Sequence, residues 1–183
     1  MAIRNNYKDV TKEWLNKATP NSHKIVIDNY YIDEDGISHP IKNKEKLCAP
    51  QKNSDEYKVA VIIENILGGK INLKPRIETA KGYKGIISVP TPDYIWNNEK
   101  WDLKTPTTNG KFSNTVERFF KKSKKVKKQA HKFIIDYKYF PHKTNSQIIK
   151  IVKKTLNNLY RQFIDAIIIL RGQNIIKIFV KKQ

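Results

Sequence analysis

The chain has 183 residues, and its 36 Lys and Arg against 17 Asp and Glu give a formal charge of +19. That length supports one domain of ordinary size with a sizeable core, and a hydrophobic fraction of 39% excludes a disordered chain. The charge points to a polyanionic partner, nucleic acid first and an anionic membrane surface second, with lysine-favouring codon usage as the bland alternative. The lone Cys48 excludes an internal disulfide and a cysteine-cluster zinc site. No apolar run is long enough to span a bilayer, and "MAIRNNYKDV" lacks the apolar stretch of a signal peptide.

Taken in chain order, "VTKEWLNKA" predicts a short helix. "HKIVIDNYYI" and "ISHPI" predict a hairpin turning at Asp35-Gly36. Pro40, Pro50 and the polar "APQKNS" set a boundary near residues 48–54, which divides the chain into a small appendage over 1–50 and a main domain over 54–183. From Ser54 the period becomes helical, with Val59, Ile62, Ile63, Ile66 and Leu67 on one face and Gly68-Gly69 as the stop. A strand is expected over Ile71–Lys74, then a glycine-containing loop. "NTVERFFKKSKKVKKQAHK" reads as a basic helix, "FIID" as a buried strand, and Asn145–Tyr160 as a helix with Ile149, Val152, Leu156 and Leu159 in line. "AIIIL" and "IIKIFV" close the order as two strands joined by "RGQN". This succession predicts an α/β fold with a mixed central sheet flanked by helices.

The segment "PTPDYIWNNEKWDLKTP", residues 90–106, carries the chemistry. A two-residue turn at Asn97-Asn98 suits the positive φ of type I′. Counting outward from it pairs Trp96 with Glu99, Ile95 with Lys100, Tyr94 with Trp101 and Asp93 with Asp102. Alternation then sets Tyr94, Trp96, Trp101 and Leu103 on one face, and Asp93, Asp102 and Lys104 on the other. Directly opposed like charges destabilise a hairpin, so two opposed acids need a reason beyond the hairpin itself. A hard divalent cation supplies one, because Mg²⁺ takes one or two carboxylates and keeps water and phosphate oxygens in its other positions. Lys104, on the same face, is placed to steady an attacking water or the charge developing on a phosphate. The bland alternative is a solvated hairpin with Asp93 capping a turn, and a slip of one residue would separate the acids.

Pro92-Asp93 followed by Asp102-Leu103-Lys104 resembles the PD-(D/E)xK nuclease signature. With a helix bearing Glu64 ahead of it and "KKQA" leading into "FIID" behind, the run resembles the C-terminal toxin nuclease domains of contact-dependent growth-inhibition proteins, especially those that cleave tRNA. Similar domains occur on phage and mobile elements of Gram-positive bacteria. The resemblance covers residues 54–183. It implies a restriction-endonuclease-like core that cleaves phosphodiesters with Mg²⁺ or another divalent cation, and a cognate immunity protein as partner. It also implies Asp93 and Asp102 as metal ligands, Lys104 as the motif lysine, and Glu64 as the helix acid, in competition with Glu56 and Glu78. Lys121 or Lys122 is the alternative source of the lysine. The implied setting is the cytoplasm, of the producing cell or of a target cell after delivery, without a membrane partner.

Residues 111–132 carry eight lysines and Arg118 against Glu117 alone. Lys121, Lys122, Lys124, Lys125 and Lys128 would contact the phosphate backbone, where they position a substrate without reading its sequence; Gln129 would reach toward the site from the helix end. A solvated lysine face is the alternative. His131 and His142 offer a metal-free route by general acid–base catalysis, while His23 and His39 lie far from the hairpin in sequence. Tyr30, Tyr31, Trp96 and Trp101 are candidates to stack on bases, with Trp101 expected in the core and Trp96 exposed. The reading that results is a metal-dependent endonuclease acting on RNA, tRNA first, as a toxin or mobile-element effector. Its rivals are a DNA endonuclease of the same fold and a non-catalytic nucleic-acid- or partner-binding module.

Overall fold

The computed structural model describes residues 6–32, 37–40, 47–48, 51–77, 91–107, 130–157 and 163–182. The basic segment after residue 107, with Lys121, Lys122, Lys124, Lys125, Lys128 and Gln129, lies outside the described residues. The chain divides into two units: residues 1–17, 103–127 and 131–183 form one, and residues 18–102 with 128–130 form the other.

In the first unit the strands are β1 (Tyr7–Asp9), β10 (Lys132–Asp136), β11 (Ala166–Arg171) and β12 (Asn174–Lys181), in the order β1-β12-β11-β10. β12 is antiparallel to β1 and to β11, while β10 and β11 are parallel. Two parallel strands need a crossover, which here includes α3 (Asn145–Leu156). Thr144 starts α3 with a reciprocal capping box to Gln147, as Ser/Thr-x-x-Gln sequences do. Ile148, Val152 and Leu156 line its buried face. The inward position is thus Ile148 rather than the expected Ile149, which packs at the edge of the cluster. β10 and β11 are buried on both faces, Phe133 and Ile135 on one and Ile134 on the other, which accounts for their continuous apolar spelling. Val10 precedes the short helix α1 (Thr11–Asn16), and its N–H donates to Ile178 O on β12.

The second unit holds β2 (Val26–Ile27), β6 (Ile71–Leu73), β8 (Tyr94–Trp96) and β9 (Glu99–Lys104), with the boundary between units falling after Asp102. β8 is antiparallel to β6 and β9, and β2 is parallel to β6. Two small ladders accompany them: β3 (Tyr30–Ile32) with β4 (Ser38–Pro40), the expected N-terminal hairpin, and β5 (Leu47–Cys48) with β7 (Arg76–Ile77). The helix α2 (Asp55–Ile66) is capped by the Ser54 hydroxyl, which accepts from Tyr57 N, and ends at Gly68 and Gly69, both at positive φ. Val59, Ala60 and Ile63 are its buried apolar residues. Each unit thus has a mixed sheet and at least one helix, the α/β class expected.

Residues 1–50 are threaded into these ladders: β1 pairs with β12, β2 with β6, and β5 with β7. The stretch read as one strand, "HKIVIDNYYI", breaks at Asp28 into β2 and β3, which belong to different sheets. Asp28 turns inward to polar partners there, and its N–H continues the ladder to Leu73 O.

Candidate active site

The hairpin at Asn97-Asn98 has the register that counting gives. Trp96 pairs with Glu99, Ile95 with Lys100, and Tyr94 with Trp101. Both turn residues adopt positive φ, 48° at Asn97 and 65° at Asn98, the pair of left-handed conformations that a type I′ turn requires. The Asn97 side chain accepts from Lys70 N at 3.0 Å and pins the turn to the strand beside it.

One face of this sheet is apolar and meets α2. Tyr94 reaches across to donate its hydroxyl to Glu56 O (3.0 Å), and Trp96 Nε1 donates to Gly68 O just past the helix end (2.9 Å). Trp96 and Trp101 pack with ring centroids 5.0 Å apart. Trp96 is therefore a buried anchor, where an exposed ring was expected: its indole N–H is needed by a helix-end carbonyl. Tyr30 and Tyr31 are also committed within the fold. The first lies under the Lys74 ammonium, and the second stacks on His39.

The opposite face is polar and still buried. The ladder ends at Tyr94–Trp101, and extending its register by one step would set Asp93, just before β8, opposite Asp102. Their exposures are 3% and 1%. On the other flank of Asp93, the ladder Leu73↔Tyr94 continues through Lys74, whose N–H donates to Asp93 O at 2.9 Å. Beyond Lys74, β2 brings Asp28, whose carboxylate takes the Lys74 ammonium at 2.5 Å and the Asn72 amide at 3.1 Å. By extension of these registers Asp28, Lys74, Asp93 and Asp102 fall in one transverse row, each 7% exposed or less. Sequence reading found the last two and missed the first two, since nothing local marks Lys74 among so many lysines.

Lys104 follows Asp102 by two residues in β9, on the same side of the strand and half-buried. Glu64 comes from a helix rather than from the hairpin. It is buried near the end of α2, on the helix that covers the apolar face, and its Oε1 accepts from His23 N at 2.9 Å. With Asn21 N donating to Glu64 O and Thr19 N to Leu67 O, the loop 19–23 closes over the helix terminus. Glu56 begins the same helix, and Glu78 lies outside the described residues. His131 is exposed and 3.4 Å from Asp165 in the first unit.

The donor set suits a small hard cation. Two opposed carboxylates satisfy the protein share of a Mg²⁺ shell, whose other positions go to water and phosphate. Among the described residues no group of three or more His, Cys, Asp or Glu side chains is placed to hold a metal, so Asp93 and Asp102 would be its protein ligands without a third from these residues.

Comparison with protein families adds the deciding observation. Residues 90–175 match the contact-dependent growth inhibition CdiA C-terminal domain. That match bears out the resemblance read from the sequence over just under half of the chain. It takes in the Asn97-Asn98 hairpin, Asp93, Asp102, Lys104 and the whole basic segment, while Glu64 and Lys74 precede it. No curated protein and no solved structure matches the chain. No helix among the described residues is long and apolar enough to cross a membrane.

Proposed function

We propose that this chain is a toxin-type nuclease, a metal-dependent endonuclease of the PD-(D/E)xK kind that cleaves RNA, with tRNA as the first candidate. The observation that carries the reading is the burial of both Asp93 and Asp102 within the segment that matches the CdiA C-terminal domain. Two carboxylates from one hairpin match the one or two protein ligands that Mg²⁺ takes, leaving its other positions to water and phosphate oxygens.

On this reading Asp93 and Asp102 hold Mg²⁺ or another divalent cation. Such an ion, when bound, polarises a phosphoryl oxygen and lowers the pKa of a water. The two carboxylates would hold that ion, leaving its other positions to water and a phosphate oxygen. Lys104 places an ammonium where negative charge grows on the phosphate. The lysines at 121, 122, 124, 125 and 128 are assigned to the substrate backbone, and Gln129 to a contact with the substrate, on the sequence reading alone. Glu64 fixes the loop at His23, and would serve as a ligand only on leaving that N–H. A cognate immunity protein is the expected partner, and the cytoplasm the expected place of action.

The test is incubation of the purified chain with total tRNA and, separately, supercoiled plasmid, in Mg²⁺ and in EDTA, beside Asp93→Ala/Asp102→Ala. Discrete tRNA fragments that vanish with EDTA and in the variant are expected. Cleavage that persists in EDTA moves the chemistry to histidine, and nicking of plasmid alone moves the substrate to DNA. Salt-sensitive binding without cleavage, unchanged in the variant, makes the chain a binding module.

A further inference from the structure

Lys74 and Asp28 form an ion pair with side chains 1% and 5% exposed, which is rare company for a sheet face. Such a pair is expensive: well-packed apolar residues in its place are often neutral or stabilising, so its presence asks for a task other than stability. The pair is also held from several sides. Lys74 Nζ sits 3.6 Å from the centroid of the Tyr30 ring, and Asn72 Nδ2 lies 3.1 and 3.3 Å from the two Asp28 oxygens. An ammonium fixed by a carboxylate, a ring face and its own strand has little freedom to wander.

The position of this clamp is what gives it meaning. Lys74 is the direct neighbour of Asp93 across the ladder, and the register of the hairpin, extended by one step, sets Asp102 on the other side of Asp93. Along the row the roles run acid, base, acid, acid. We propose that Lys74 is a positioning residue of the acid pair, a fixed ammonium that lets Asp93 and Asp102 lie together in the buried face and sets how tightly they hold a cation, with Asp28 setting how much of that charge they feel. The proposal rests on the reading of Asp93 and Asp102 as metal ligands. It differs from the role given to Lys104, which faces substrate; Lys74 acts through the carboxylates.

A merely structural ion pair and this device make opposite statements about two single variants. If Lys74 and Asp28 only brace the sheet, Lys74→Met and Asp28→Asn break the same pair and act alike. If their charges are felt at the acids, Lys74→Met leaves an extra negative charge beside the site and Asp28→Asn leaves an extra positive one. Mn²⁺ binding to the full chain, followed by electron paramagnetic resonance at one pH and ionic strength, separates the two.

The expected result is binding about fivefold tighter in Lys74→Met and about fivefold weaker in Asp28→Asn, from one unit charge acting on a divalent ion roughly 8–10 Å away at the dielectric of water. The double variant returns toward the wild-type affinity, and Lys74→Arg stays close to it. Asp28→Asn alone decides the sign if Lys74→Met does not fold. Shifts in the same direction, or affinities that do not move, overturn the proposal. Mn²⁺ binding that survives Asp93→Asn/Asp102→Asn overturns the site itself, and the proposal with it.

Discussion

Trp96 Nε1 donates to Gly68 O at 2.9 Å, tying the hairpin that carries the acids to the end of α2. The contact depends on a tight stop. Gly68 turns at φ 73°, and Gly69 follows at 98°, conformations that residues with a Cβ rarely adopt.

Gly68→Ala is expected to be among the most damaging single changes in the chain. A Cβ there would lie 1.9 Å from Thr19 O and 2.6 Å from Thr19 C, backbone atoms of the loop that caps the helix. The loss should be about 3 kcal/mol or more, the strain of a forced left-handed residue plus displacement of the loop. Gly172→Ala is the control, at φ 60° with nothing within 4 Å of the added carbon, and should cost about 1 kcal/mol. Urea unfolding of the two variants checks the difference.

Glu64→Ala removes the acceptor for His23 N, and a hydrogen bond to a buried carboxylate is worth about 1.5–3 kcal/mol. Glu64→Gln keeps an oxygen in place and should recover most of that stability. Because α2 lies over the apolar face, the glutamine variant is also expected to keep nuclease activity within about twofold, a change too small for a lost catalytic group. Unfolding midpoints and tRNA cleavage rates for both variants check this. A glutamine variant that is stable and inactive would return Glu64 to the metal.

Asp9 gives a pH dependence. Partial burial raises its pKa, but hydrogen bonds from Lys177 and from Thr11, with the Lys177 charge, outweigh this and leave it below the usual carboxylate value. A group whose pKa is depressed by folding stabilises above its unfolded value, and that contribution disappears as pH falls through the folded one. The side chain is 47% exposed, so solvent screening holds the effect to about 1 kcal/mol or less. The stability gap between wild type and Asp9→Asn should therefore be present at neutral pH and close below about pH 4, read from urea midpoints across that range.

The hairpin was legible because its turn residues and its alternation agree: Asn97-Asn98 permits only a tight turn, and the count from it carries the pairing. The central strands were legible from their apolar spelling. Lys74 and Asp28 were not legible, because their partnership joins strands far apart in sequence, and a lysine in "INLKP" looks like the many others. Trp96 misled because nearness to a turn suggests exposure, whereas the carbonyl it serves belongs to a helix 28 residues earlier. The break of "HKIVIDNYYI" at Asp28 has the same origin: local pattern favours one strand, and the long-range polar contact divides it.

The outermost ladder of the first unit joins Tyr7 to Lys181. Between them in sequence lies the whole of the second unit, whose row of Asp28, Lys74, Asp93 and Asp102 is contained in residues 18–102. A chain that emerges from its N-terminal end, from a ribosome or through a narrow passage, therefore has every member of that row before it has the last strand of the first unit. Closing so long a loop is slow compared with local pairing. The acid row can be assembled while β1 is still waiting for its partner, and the order of emergence sets the order of folding.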